Sequence, residues 1–397
     1  MKISNFNHFS LTNLGISDKN KYQSISYSNK KGKAIRNLGI DLLRIISMIN
    51  IIILHINSYS KFNLLERENP KFKSVWLLNA LSFWSVDGFG LISGVVGYKN
   101  IKFSNLIYIW IQSSFYSIIT SYYFYYKGIK NLRQWLLNLL PIAMYKYWYV
   151  NAYFCLYLFL PLINNGILIL KRKFFRNLIL FYFLFFTLYN IFVIIVINDD
   201  RYHFLNKGFS PLWLMILYIF GGYIGKYVLS EDNNIKNQTY FFLWIFIYIL
   251  CSLFGFISYD FLLKNKINIT KNIFLNYISP SIVIEAISLL LFFSKLTIKN
   301  PLFIRAISFF APLTFNVYLF HNRIFDIIFF YDKKYCYNYI MKLDAKLLFM
   351  KIYFISIIIF IFCSFFDYIR SLLFKFIKIK NFCLFIENSF PKILDYF

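Results

Sequence analysis

The chain has 397 residues, of which 59% are hydrophobic, 23% aromatic and 15% charged. Soluble domains run nearer about 45–50% apolar and about 25% charged, so a water-soluble enzyme, a disordered tail and a small secreted scaffold are excluded, and a polytopic membrane protein is expected. The formal net charge of +26 would suggest a nucleic-acid partner in a soluble protein. Here the basic residues fall in short gaps between apolar runs, where they orient helices and meet anionic membrane lipids, so no nucleic acid is expected.

Residues 1–37 are rich in Ser, Asn and Lys and read as a polar cytoplasmic tail. The first apolar run is too long for a cleavable signal peptide and lacks a small-residue cleavage site. Spanning the hydrocarbon takes about 20 residues at 1.5 Å each. Runs of that kind lie at 38–58, 75–98, 105–126, 148–169, 177–197, 211–229, 239–259, 273–294, 306–330 and 352–369. The predicted fold is therefore all-α, a ten-helix membrane domain over 38–370, followed by a basic cytoplasmic tail at 371–397. The gaps leave no room for a separate soluble domain. A modest excess of Lys and Arg on the side of the N-terminus, with the turn Lys171–Arg176, predicts both termini in the cytoplasm.

Charges inside a membrane helix are costly and mark functional candidates. The first helix carries Asp41, Arg44 and His55. Arg44 and His55, eleven residues apart, share a face, separated by about three turns and about 16 Å. A guanidinium suits a phosphate-bearing ligand and an imidazole suits proton removal from a hydroxyl. The alternative is an arginine snorkelling to head groups and a histidine satisfied within the core. The second helix holds Asp87 and Ser93 among glycines, with a GxxxG at Gly90 and Gly94; Gly221 and Gly225 repeat the pattern, which suits close helix packing.

Lys102 precedes the third helix. Tyr145 to Tyr149, with Trp148, suits either an interface belt or an aromatic platform for a sugar. Glu285 in the eighth helix and Asp87 both fall near mid-membrane. His321 in the ninth lies about as far along its helix as His55 does along the first, about 24–26 Å. Asp326 follows Arg323 by three residues, a spacing for a local ion pair. Asp367, at the end of the tenth helix, reads as a solvated end charge. Cys155, Cys251, Cys336, Cys363 and Cys383 form no CxxC pair and read as packing residues; no metal is expected.

Four stretches together resemble the integral-membrane acyltransferase 3 family. They are Arg44 and His55 as R-x10-H preceded by Asp41; Val86-Asp87-Gly-Phe-Gly-Leu-Ile-Ser93-Gly94; Trp148-Tyr149-Val-Asn151-Ala through Pro161; and Val317-Tyr318-Leu-Phe-His321. The likeness covers roughly residues 38–370 in matching order. It implies transfer of an acyl group, usually acetyl, from cytoplasmic acyl-CoA to a hydroxyl of an extracytoplasmic surface glycan or lipid-linked sugar, such as lipopolysaccharide or capsule, in a bacterial inner membrane. Carried over, Arg44 and Lys102 would hold the donor, His55 would be base or acyl relay with Asp41 and His321 beside it, and Asp87, Ser93, Asn151, Trp148 and Glu285 would meet the acceptor. Relatives place arginines where the third helix begins, whereas this chain has Lys102, then Asn105, Tyr108 and Trp110. The competing expectation is a transporter or lipid-linked sugar flippase; no internal repeat of that kind is visible.

Overall fold

Asn37 opens the first helix. Its Oδ1 accepts from the Ile40 amide at 3.1 Å, and its Nδ2 donates to the Ser294 carbonyl at 2.8 Å. One side chain thus caps a helix and ties it to a distant segment. The computed structural model describes residues 36–62, 65–98, 102–126, 139–197, 205–230, 238–265, 273–325 and 344–394. Most of the predicted tail 1–37, together with Asp326 and Cys336, lies outside these residues.

After α1 (Leu38–Tyr59) come α2 (Phe72–Ala80), α3 (Trp84–Gly97), α4 (Phe103–Tyr126) and α5 (Trp148–Ile169). α6 (Arg172–Phe183) passes through a π turn (Leu184–Leu188) into α7 (Tyr189–Ile197), and α8 (Pro211–Tyr223) ends in another (Ile224–Val228). α9 (Gln238–Lys264), α10 (Pro280–Ser294) and α11 (Pro301–Phe310) follow. A 3-10 turn (Ala311–Leu313) then leads into α12 (314–325), α13 (Ala345–Phe376) and α14 (Ile379–Leu394). No strand occurs among the described residues.

Among the described residues, each of the ten predicted runs contains a helix or a helical pair, and eight spans are long and apolar enough to cross a membrane; residues 326–330 of the ninth run lie outside the described residues. The protein is an all-α polytopic membrane protein. α10 falls short at 15 residues, and α4, with 24, is less apolar because Gln112, Ser113, Ser117, Thr120 and Ser121 line its buried face. α7 and α9 turn Phe192, Phe242, Phe246 and Phe261 outward, as a lipid-facing surface requires.

Three boundaries differ from the sequence expectation, each for a local reason. The run 273–294 becomes helical only at Pro280, which sits in the first turn where its missing N–H costs nothing. Before it, Asn276 Oδ1 accepts from the Ile278 amide at 3.1 Å and holds a turn. The run 75–98 breaks at 81–83, and the freed Leu81 carbonyl is satisfied by Trp84 Nε1 at 2.9 Å and Tyr248 OH at 3.0 Å. Beyond 370, α13 continues and α14 forms an amphipathic helix with Phe382 and Phe385 exposed, the pattern of an interfacial segment. Glu387 on α14 caps α4: its carboxylate accepts from the Phe103 amide at 2.7 Å. The Ser104 hydroxyl bond is the main influence holding that carboxyl below the usual carboxylate range.

The glycine pattern does what it predicts. A Cβ on Gly94 would lie 2.0 Å from the Tyr218 carbonyl oxygen, and one on Gly221 2.0 Å from that of Leu91. α3 and α8 therefore cross backbone to backbone. Gly94→Ala must push the helices apart, and we expect about 1–3 kcal/mol of destabilisation, read as a lowered Tm of detergent-purified protein; an unchanged Tm would refute the contact. Lys226 finishes the α5 end, its Nζ donating to the carbonyls of Ile167, Leu168 and Leu170 at 2.8, 2.8 and 2.9 Å, which supplies donors the last helical turn lacks.

Candidate active site

A cavity of about 510 Å³ opens where α1 and α12 end and where α5, α8 and α10 begin. Its lining is aromatic with a few amides: Trp148, Tyr149, Phe209, Tyr277 and Tyr318 beside Asn79, Asn276 and Asn322. On α1 it runs from Tyr59 down to Met48, passing His55. Trp148 and Phe209 rings lie 4.7 Å apart, and Trp148 stacks toward Tyr277 at 6.3 Å and 20°.

His55 and His321, 266 residues apart in sequence, meet in the cavity wall. His55 Nδ1 lies 2.8 Å from His321 Nε2, and His321 Nδ1 lies 2.7 Å from the Val317 carbonyl. A carbonyl only accepts, so His321 Nδ1 carries a hydrogen. In the neutral pair His321 Nε2 is then an acceptor and His55 Nδ1 the donor to it. That leaves His55 Nε2 with its lone pair available. His321 is fully buried while His55 lines the cavity, so the buried ring orients the exposed one, with Phe325 and Tyr318 packed around both.

Arg44 does not line this cavity. Its Nη1 donates to Asp41 at 3.0 Å, with 27% of the arginine side chain exposed and 4% of the aspartate's. From α5, Tyr153 lies within electrostatic range of it. Tyr149, Tyr153 and Tyr157 repeat every four residues along the first half of α5, leading away from the cavity. Tyr157 OH donates to the Lys102 carbonyl at 2.6 Å; Lys102 follows α3, whose first turns border the cavity, and Arg44 lies near the start of α1, whose last turn does, so neither residue reaches the cavity lining.

Of the residues expected to meet the acceptor, Trp148 lines the cavity, and Asp87, Ser93, Asn151 and Glu285 do not. Asp87 is fully buried and accepts from Trp213 Nε1 at 3.1 Å. Ser93 donates to the Phe89 carbonyl at 2.8 Å, and Tyr149 is a further hydrogen-bonding neighbour. Asn151 Nδ2 donates to the Ile142 carbonyl at 2.8 Å. Glu285 is fully buried beside Ser252. Asp41 likewise stands apart from the cavity, held by Arg44.

One reading changes outright. Asp367 is not a solvated end charge: it is fully buried, with Arg370 Nε at 2.5 Å and Tyr116 OH at 2.6 Å. α13 runs on past it, so the charge sits inside the bundle. Arg323 donates to the Lys146 carbonyl at 2.9 Å and lies over the Tyr147 ring at 4.3 Å, pinning the segment that enters α5. Cys155, Cys251, Cys363 and Cys383 are free thiols. Among the described residues no group of three or more His, Cys, Asp or Glu is placed to hold a metal.

Sequence reasoning missed Lys207, Phe209, Asn276, Tyr277 and Asn322 as cavity residues. The turn signal Asn206-Lys207-Gly208 was present at one of them. The others were hidden, since Asn276 and Tyr277 read as part of a helix and Asn322 as one more helical polar residue.

The family model described as an acyltransferase domain matches residues 37–369, nearly the whole chain. No curated protein and no solved structure matches.

Proposed function

The chain belongs to the acyltransferase 3 family and is a membrane acyltransferase, and from that premise we propose that it moves an acyl group, acetyl in the simplest case, from cytoplasmic acyl-CoA to a hydroxyl of a surface glycan or its lipid-linked precursor. The family match favours this over a transporter or flippase. In this reading the protein sits in the bacterial inner membrane with both termini cytoplasmic, and the cavity mouth faces outward. The observation that carries it is the hydrogen-bonded chain Val317–His321–His55 at the wall of an aromatic cavity.

The donor thioester is already activated, so the protein mainly has to position the reactants and remove a proton. His55 Nε2 takes the hydrogen of the acceptor hydroxyl. The alkoxide oxygen bonds to the thioester carbonyl carbon, the carbon–sulfur bond breaks, and the imidazolium returns its proton to the departing sulfur. His321 stabilises the imidazolium by accepting from its Nδ1–H. Arg44, oriented by Asp41, and Lys102 supply charge for the phosphates of the donor. Trp148, facing Tyr277, offers a ring platform for a sugar.

The test uses purified protein, acetyl-CoA labelled in the acetyl group, and glycan from a strain lacking the gene. Label should enter the glycan as an alkali-labile ester, and Arg44→Ala should raise KM for the donor about tenfold or more. Failure of label to enter the glycan would overturn the proposal.

A further inference from the structure

The apolar span of α13 ends at Phe376, and α14 begins two residues later. Around this corner Lys375, Lys378 and Lys380 are exposed, and so are Phe376, Ile377, Phe382 and Phe385. Phe376 is 85% exposed and Phe385 69%, a cost in water that hydrocarbon removes. Phe382 and Phe385, three residues apart, share one flank of α14. Cys383 is buried and Ile379 and Ile386 are half-buried on the side toward the bundle. Among the described residues none of the three lysines is in an ion pair; Lys380 lies over the Tyr108 ring at 5.6 Å.

Two anchors hold α14 at the membrane surface. At its start it continues from the end of a span, the chain turning at Lys378, whose φ is 56°. Further along, the Glu387 carboxylate accepts from the Phe103 amide at 2.7 Å and is bonded by Ser104. The first turn of α4 has no intrahelical acceptor for its amides, so α14 supplies its cap. An amphipathic helix with aromatic and basic residues, fixed at both places, lies in the plane of the interface.

We propose that the corner between α13 and α14 is a docking surface for anionic phospholipid. Lys375, Lys378 and Lys380 take the headgroup phosphates, and Phe376, Ile377, Phe382 and Phe385 enter the acyl region of the same leaflet. Charge complementarity selects the occupant. An ammonium makes a charge-assisted hydrogen bond to phosphate, and each lysine beside a span adds attraction for lipid of net negative charge, which zwitterionic lipid lacks. Lipid held there keeps α14 level with the surface and Glu387 on the start of α4, which steadies the adjoining Lys102. The lipid contact does not depend on the role of Lys102 toward the donor.

The experiment supplies the purified chain with phosphatidylcholine and phosphatidylglycerol in equal amounts and counts the lipids it retains by native mass spectrometry. Parent protein should prefer phosphatidylglycerol by about tenfold or more, which three surface charges together allow. The triple variant Lys375→Gln, Lys378→Gln, Lys380→Gln should lose that preference. The matching triple arginine variant should keep it, which separates charge from folding. In nanodiscs, the amides of α14 should exchange hydrogen more slowly with phosphatidylglycerol present than in phosphatidylcholine alone. Equal retention of the two lipids by parent protein, an unchanged preference in the glutamine variant, or equal exchange in the two kinds of disc would overturn the proposal. Protection of α14 in phosphatidylcholine discs holding two chains would assign the face to a second copy and overturn it as well.

Discussion

Replacing His55 by Ala lowers kcat for acyl transfer by about 10²–10⁴-fold, the range a positioned general base contributes. Protein yield and Tm should stay close to parental, because His55 borders a cavity rather than filling the core. Added imidazole should restore part of the rate by occupying the vacated space beside His321. His321→Leu gives the companion result. It keeps the base but removes the acceptor from the Nδ1–H of His55, a charge-assisted bond of about 1.5–3 kcal/mol once the imidazolium forms. We expect kcat to fall about 10–100-fold while KM for donor and acceptor stay near parental values. A purely structural role for His321 would lower the amount of folded protein and leave the kcat of what remains unchanged. Parental turnover in His55→Ala would remove the histidine pair from the mechanism altogether.

Asp367→Ala should destabilise the protein by about 3–5 kcal/mol, the cost of stranding one partner of a buried ion pair. Both partners are almost fully buried, 0% exposed for Asp367 and 3% for Arg370. The aspartate also accepts from Tyr116 OH, and the guanidinium reaches Tyr108 OH at 3.3 Å and lies over Phe374 at 4.7 Å. This cluster joins α4 to α13, away from the cavity, so the loss should be read in Tm and in yield of monodisperse protein. The double variant Asp367→Leu with Arg370→Met should recover much of it, because removing both charges removes the desolvation cost with the attraction. A Tm for Asp367→Ala equal to the parental value would show the pair to be dispensable.

The contrast between Asp367 and His55 shows where sequence reading stops. Both were visible as ionisable residues in or near apolar helices. For His55 the helical spacing from Arg44 supplied the face and the family pattern the role, and the structure puts it at a cavity. For Asp367 the end of the apolar run suggested solvent, but Arg370, one turn further on, neutralises the charge and lets the helix continue. Asp87 and Glu285 were also flagged as buried charges. Their depth was readable from their place in the helix, yet depth says nothing about which neighbour a side chain meets.

Sequence alone determined the membrane class, the apolar helical segments, the two small-residue patterns that suit close helix packing and the family landmarks around Arg44, His55, Trp148 and His321. These are legible because apolar run length, helical period and capping residues act over a few turns of one segment. Only the tertiary structure decided that His55 and His321 share a hydrogen bond, that Arg44 does not reach the cavity, and that Glu387 of α14 caps α4. Each of these depends on contacts between segments far apart in the chain, where small rotations of a helix choose the partner, and no local pattern encodes that rotation.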